Sequence, residues 1–303
     1  MATLVVMAHG VGNETEGFET KWRELIEQTT SIPDDVVVKG LLWEDVLEQV
    51  AQKYPIISQQ QASLLAMLNF PYLQQLLASD VYDLARDALM DVLVYAGLDD
   101  MWAYIQAECS AKLDRLRRDD NGRLLYLESD TLLIGHSLGA AMLPHLVWRE
   151  AKNTGVIPYK GMILLATPLG IQSPIPRVFK DLLQRLGKIH GGSRTKTLQQ
   201  FAKRWSMGGA NRLRIINNEN DIICSDVRFE LPGGKLKDLI PLRQGFDPNE
   251  IAVLDKWHPG SIEYIAFGER KISSIAYNHA VFNYLQQPAF ITAFNRMVHG
   301  GEQ

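Results

Sequence analysis

Five short runs of this chain are apolar at nearly every position: Leu4-Val5-Val6-Met7, Val36-Val37-Val38, Leu132-Leu133-Ile134, Met162-Ile163-Leu164-Leu165 and Leu213-Arg214-Ile215-Ile216. A strand with one wet face alternates apolar and polar residues, whereas one apolar throughout is covered on both faces. That is the condition of a parallel sheet flanked by helices. Helical patterns follow the first run, from about Gly17 to Thr29, and the third, from Leu138 to about Asn153. A sixth strand is predicted between Ile262 and Ala276, and a closing helix from about Ala280 to Met297. The pattern predicts an α/β fold, with a mostly parallel central sheet of about six strands flanked by helices.

The second and third runs are separated by about 90 residues, far more than a crossover needs. This stretch has its own helical patterns, such as Leu84, Ala88, Leu89, Val92 and again Met101, Tyr104, Ile105, Cys109. Residues 50–125 therefore read as a helical insertion, a cap over one sheet edge, within a single domain spanning residues 1–303. A smaller basic insertion is predicted over residues 169–211.

Composition narrows the function classes. The formal net charge is −4, with 46% hydrophobic and 22% charged residues. Such a balance is ordinary for a soluble domain and offers no basic excess for nucleic acid. The two cysteines, Cys109 and Cys224, form neither a C-x-x-C pair nor a zinc-ligand spacing. Neither a disulfide framework nor a metal site is expected, and a reducing cytoplasm is the default. The start, MATLVVMAHG, has no cationic region and its apolar run ends at His9-Gly10, so a signal peptide is not expected. No stretch approaches the roughly 18 apolar residues of a transmembrane helix.

The third run leads into Gly135-His136-Ser137-Leu138-Gly139 and then a helical pattern. The G-x-S-x-G pattern between a strand and a helix is the setting of an exposed serine on a forced turn. Glycines there let neighbouring backbone approach, and the helix N-terminus favours negative charge. A serine hydroxyl needs a base, and the base an orienting acid. Asp221 follows the fifth run and suits the acid, with Asp226 and Glu219 as alternatives. His279 follows a strand-like stretch and opens a helix, which favours it as base; His258 is the alternative, and His299 is expected to fray. Backbone N–H groups of Leu138 and Val11 are the expected oxyanion donors. His136 and His9 are expected to serve structure rather than proton transfer.

The segments LVVMAHGVG, TLLIGHSLGAAM, GMILLATPLG, INNENDII and YNHAVFNYL together resemble the α/β-hydrolase superfamily, in its lipase-like serine-esterase branch. The resemblance spans residues 3 to 287 and departs from the full fold at its start, where the usual first two strands are expected to be missing. It implies a Ser137–His279–Asp221 triad that cleaves carboxylic esters through an acyl-enzyme, with no cofactor. The substrate is expected to be a small-molecule ester or lipid with an acyl chain of medium or longer length. A thioesterase or amide hydrolase with the same triad, or a non-catalytic binding protein on this fold, are the alternatives. The segment from Arg177 to Arg204 is strongly basic and reads either as a solvated helix face or as a peripheral contact for anionic lipid. Oligomeric state is not encoded legibly.

Overall fold

The sheet is built from β1 (Thr3–Ala8), β2 (Val36–Leu41), β3 (Thr131–His136), β4 (Gly161–Leu165), β5 (Leu213–Asn218) and β6 (Ile262–Phe267). The structure, a computed structural model, describes residues 2–10, 16–53, 99–140, 142–144, 146–147, 158–166, 213–218, 221, 262–267 and 278–299. The strand order is β2-β1-β3-β4-β5-β6, and every pairing is parallel. This is the α/β architecture that the unbroken apolar runs require. β1, β3 and β4 are buried along their whole length. Edge strand β2 has one strand neighbour, and its four central residues are only half-buried.

From β1 the chain goes to one side to form β2, then returns across β1 to form β3. The order therefore reverses between β1 and β3. In open parallel sheets such a reversal leaves a crevice beyond the carboxyl ends of the two strands, where ligands bind. Ala8 lies beside Gly135 in the register, so His9-Gly10 and His136-Ser137 emerge next to each other at that crevice.

Helix α1 (Phe18–Glu27) buries Phe18, Trp22 and Ile26, one stripe at i, i+4, i+8. The stripe shares a core cluster with Tyr284, Phe290 and Phe294 from the end of the chain. Helix α2 (Glu44–Lys53) and helix α3 (Asp99–Leu116) pack together, and α3 also packs on β2. Lys112 Nζ donates to both carboxylate oxygens of Asp45 at 2.6 Å, and Lys39 Nζ donates to Leu116 O at 2.8 Å. Thus the last part of the expected 50–125 insertion lies along the sheet edge. Residues 54–98, and the expected insertion at 169–211, lie outside the described residues.

The closing helix is two helices, α4 (Val281–Leu285) and α5 (Pro288–His299). Pro288 supplies no N–H, and its ring would meet the carbonyl four residues back, so a helix running through it would be kinked or broken. Pro288 instead opens α5. His299, expected to fray, ends this helix; Val298 beside it is 8% exposed, and its carbonyl accepts from Lys160 Nζ at 3.1 Å. The same ammonium donates to Thr3 Oγ1 at 2.8 Å, joining β1 to α5. No helix among the described residues is long and apolar enough to cross a membrane.

Candidate active site

Ser137 follows β3 directly, and helical backbone begins at Leu138. Its φ is 55°, a left-handed conformation that a residue with a Cβ adopts only under constraint. The constraint is steric. A Cβ at Gly139 would run into the carbonyl oxygens of Ala8 and His9, and one at Gly135 would lie 2.8 Å from Ala140 backbone. A Cβ at Gly10 would come within 2.6 Å of Ser137 Cβ. The turn thus closes only because three glycines let β1, β3 and the following helix approach. Ser137 N–H donates to Leu165 O at 2.9 Å, which pins the turn to the end of β4.

Ser137 Oγ lies 2.8 Å from His279 Nε2, and His279 Nδ1 lies 2.7 Å from Asp221 Oδ2. With Nδ1–H donating to the carboxylate, Nε2 is left to accept the serine hydrogen. Asp221 stands just beyond β5, its N–H donating to Asn218 O at 3.0 Å. His279 stands just before α4. The structure therefore brings together three residues that the sequence spaces 58 and 142 positions apart. The expected exposure of the serine is corrected: Ser137 is 2% exposed, His279 5% and Asp221 0%. The elbow turns its serine toward the imidazole, with Gly10 and His279 against it.

Leu138 opens a helix, so its N–H is among the first four that have no partner within the helix. Val11, the other expected oxyanion donor, lies outside the described residues, as do His258, Asp226 and Glu219. Among the described residues no group of histidine, cysteine and carboxylate side chains is arranged to hold a metal ion.

Two contributors were not legible in the sequence. His136 Nε2–H donates to His279 O at 2.8 Å, and the two rings lie 4.9 Å apart. Tyr284 Oη donates to Asp221 Oδ2 at 2.7 Å, and Asn218 N–H donates to Tyr284 Oη at 3.3 Å. His136 was expected to be structural, but no local pattern says what its ring would hold. Tyr284, in an apolar helical stretch, reads as core, and only its separation of five residues from His279 hints otherwise.

The nearby histidines are neutral. Burial pushes His136 down to about 3, with the neighbouring His279 adding to the effect. Burial likewise pushes His9 down to about 4, against a bond from its Nδ1–H to Gly10 O at 2.7 Å. His9 stacks on Trp43 at 5.2 Å, and Trp43 Nε1–H donates to His9 O at 3.1 Å. These contacts hold the strand end that faces the serine. Cys109 is buried in α3 and its thiol is pushed up to about 12, mainly by burial, so it is not a thiolate at neutral pH.

No protein-family model matches the chain, and no curated protein matches it. Among solved structures, it is similar to the Vlm2 thioesterase domain with genetically encoded 2,3-diaminopropionic acid bound with a dodecadepsipeptide, seen in two crystal forms. In space group H3 the identity is 13%, covering 99% of this chain and 97% of that one, with a TM-score of 0.33. In space group P1 the identity is 12%, covering 100% and 96%, with a TM-score of 0.33. Strand order and register define the fold.

Proposed function

We propose that the protein is a serine hydrolase that cleaves carboxylic esters through an acyl-enzyme. The observation that carries this reading is the hydrogen-bonded chain from Ser137 Oγ through His279 to Asp221, at 2.8 and 2.7 Å, at the reversal point of the sheet. In this reading Ser137 Oγ attacks the carbonyl carbon while His279 Nε2 takes its proton. Asp221 orients the imidazole and stabilises its positive charge. The oxyanion is met by the N–H of Leu138 and that of Val11. His279 then returns the proton to the leaving group, and water, deprotonated by the same imidazole, releases the acyl group. The chain's own residues supply every proton transfer, so the scheme calls for no cofactor.

An activity-based fluorophosphonate should label the protein at Ser137, and Ser137→Ala should abolish labelling. Undiminished labelling of the alanine variant would remove Ser137 from the mechanism. The leaving group is the finer question. We favour an ester and a lipase-like preference for acyl chains of medium or longer length, on the resemblance of the five segments and the apolar character of residues 64–104. p-Nitrophenyl octanoate should then be cleaved faster than the acetate, and equal rates would count against an acyl pocket. Acyl thioesters outpacing matched oxygen esters would favour the thioesterase alternative, and matched amides would rank the amide hydrolase. A protein that neither labels nor hydrolyses any of these would be a binding protein on this fold.

We also propose a single catalytic domain over residues 1–303, cytoplasmic, in which the basic 169–211 stretch makes any contact with anionic lipid. Vesicle binding that depends on anionic lipid and weakens with salt would support that contact. Binding indifferent to both would exclude it.

A further inference from the structure

We propose that Tyr284 is a positioning residue of this site: its hydroxyl fixes the Asp221 carboxylate and takes up part of the charge that carboxylate presents to His279. The inference rests on the serine-hydrolase reading and deepens it. Tyr284 Oη donates at 2.7 Å to Oδ2, the same oxygen that accepts His279 Nδ1–H at 2.7 Å. A phenol has a single hydrogen to give. The backbone N–H of Asn218, 3.3 Å from Oη, takes the acceptor side and leaves the hydrogen aimed at the carboxylate. Tyr284 and Asp221 are both 0% exposed, so the bond acts in a low-dielectric setting where hydrogen-bonded chains polarise one another.

The placement has an architectural cause. β5 ends at Asn218, and the Asp221 N–H bond to Asn218 O holds Asp221 just beyond that end. The 278–285 segment carries His279 and, on α4, Tyr284. Each segment thus gives two groups to the other: Asn218 N–H meets Tyr284, and Asp221 meets both His279 and Tyr284. From β3, His136 closes the third side, its ring 5.6 Å from that of Tyr284.

Charge sets the sign of the effect. A carboxylate bearing its full charge stabilises the imidazolium form of its partner, and a second donor on the same oxygen weakens that hold. Removing the tyrosine hydroxyl should therefore favour the protonated base and move the acidic limb of activity to higher pH. Among the described residues, the titratable groups facing His279 are Asp221 beyond β5, Tyr284 on α4, His136 at the end of β3 and the Ser137 hydroxyl. His136 is neutral across the range concerned.

The test compares the full-length protein with Tyr284→Phe and with 3-fluorotyrosine encoded at position 284, a better hydrogen-bond donor. Labelling by the fluorophosphonate and ester kcat/KM are followed against pH. In the phenylalanine variant the acidic limb should rise by roughly half a unit to one unit, and the plateau should fall roughly 3- to 10-fold, as for one charge-assisted bond. In the fluorotyrosine variant the limb should fall. A purely structural tyrosine would not move the limb in opposite directions. Limbs that stay at the wild-type position, or that move the same way in both variants, overturn the inference. If Tyr284→Phe fails to fold by circular dichroism, the fluorotyrosine variant decides alone, and an unmoved limb overturns it. Wild-type protein that is not labelled at Ser137 sinks the serine-hydrolase reading itself, which separates the two failures.

Discussion

The two halves of the candidate site are held by different physics. On one half, β1, β3 and the helix at Leu138 meet through glycines, and the left-handed Ser137 is locked by what cannot fit around it. On the other half, the end of β5, Asp221 and the 278–285 segment meet through directed hydrogen bonds among Asp221, His279, Tyr284 and the Asn218 backbone N–H, all buried. The steric half encodes position through the absence of atoms and tolerates no addition. The bonded half encodes position through the presence of particular donors, and each donor lost should show first in activity.

The largest effect should come from deleting a donor on the bonded half. His279→Ala should lower ester hydrolysis by about 10⁴-fold or more, as expected when one member of a unit acting together is lost. Its stability in urea denaturation should fall by only about 1–2 kcal/mol, because the Tyr284 hydroxyl still donates to the buried Asp221 carboxylate. A large loss of stability in this variant would mean that the imidazole also holds the fold, and the contrast between the halves would weaken.

The steric half should fail in the opposite manner. Gly139→Ala places a methyl against the carbonyls of Ala8 and His9, backbone held at the carboxyl end of β1. It should destabilise the protein by about 1–3 kcal/mol, with labelling lost in parallel. Urea denaturation and fluorophosphonate labelling of the same sample would test whether the two losses travel together.

Acid should probe both halves through their neutral histidines. His136 and His9 are held near 3 and 4, whereas in the unfolded chain they take up protons near 6.5. Between those values the unfolded state binds more protons, so stability falls as pH falls below about 6.5 and levels off near 3 to 4. At pH 5 each should remove about 2 kcal/mol relative to pH 7. Urea midpoints at the two pH values would measure this, and His136→Gln should flatten the dependence by about half. An equal slope in that variant would assign the acid sensitivity elsewhere.

The smallest effect belongs to the directed bond that supports the steric half. Trp43→Phe keeps an aromatic ring against His9 but removes the N–H donated to His9 O. A loss of about 1 kcal/mol is expected from thermal unfolding. No change would mean that close packing alone holds the end of β1.

The same division explains what the sequence could convey. The steric signature is largely written locally: Gly135, Ser137 and Gly139 stand within five residues, although Gly10 and the Ala8 and His9 carbonyls come from the end of the first strand and just beyond it. The apolar runs before and after the turn dictate a parallel sheet. The fold and the serine turn were therefore legible from short windows. Asp221 and His279 were reachable through chain order, because each follows a strand whose carboxyl end lies on the same edge of the parallel sheet as the serine. Tyr284 and His136 were not reachable. Their partners are 63 and 143 positions away, and nothing beside them in the chain distinguishes a tyrosine hydroxyl aimed at a carboxylate from one aimed at solvent. The exposure expected for Ser137 failed for a related reason: a turn type fixes where a side chain starts, and distant segments fix what surrounds it. The apolar pattern of residues 280–297 continues across Pro288, so periodicity alone predicts one helix where the proline separates two.

The 142-residue gap between Ser137 and His279 has a consequence for synthesis. Sheet strands β1, β2 and β3 leave the ribosome long before the imidazole that would draw a proton from the hydroxyl. A nascent chain therefore carries an unarmed serine, since an alcohol without its base is a weak nucleophile. Under the proposed serine-hydrolase reading, reactivity would switch on only when the segment bearing His279 and Tyr284 docks beside β5, which would leave half-made chains unable to attack esters.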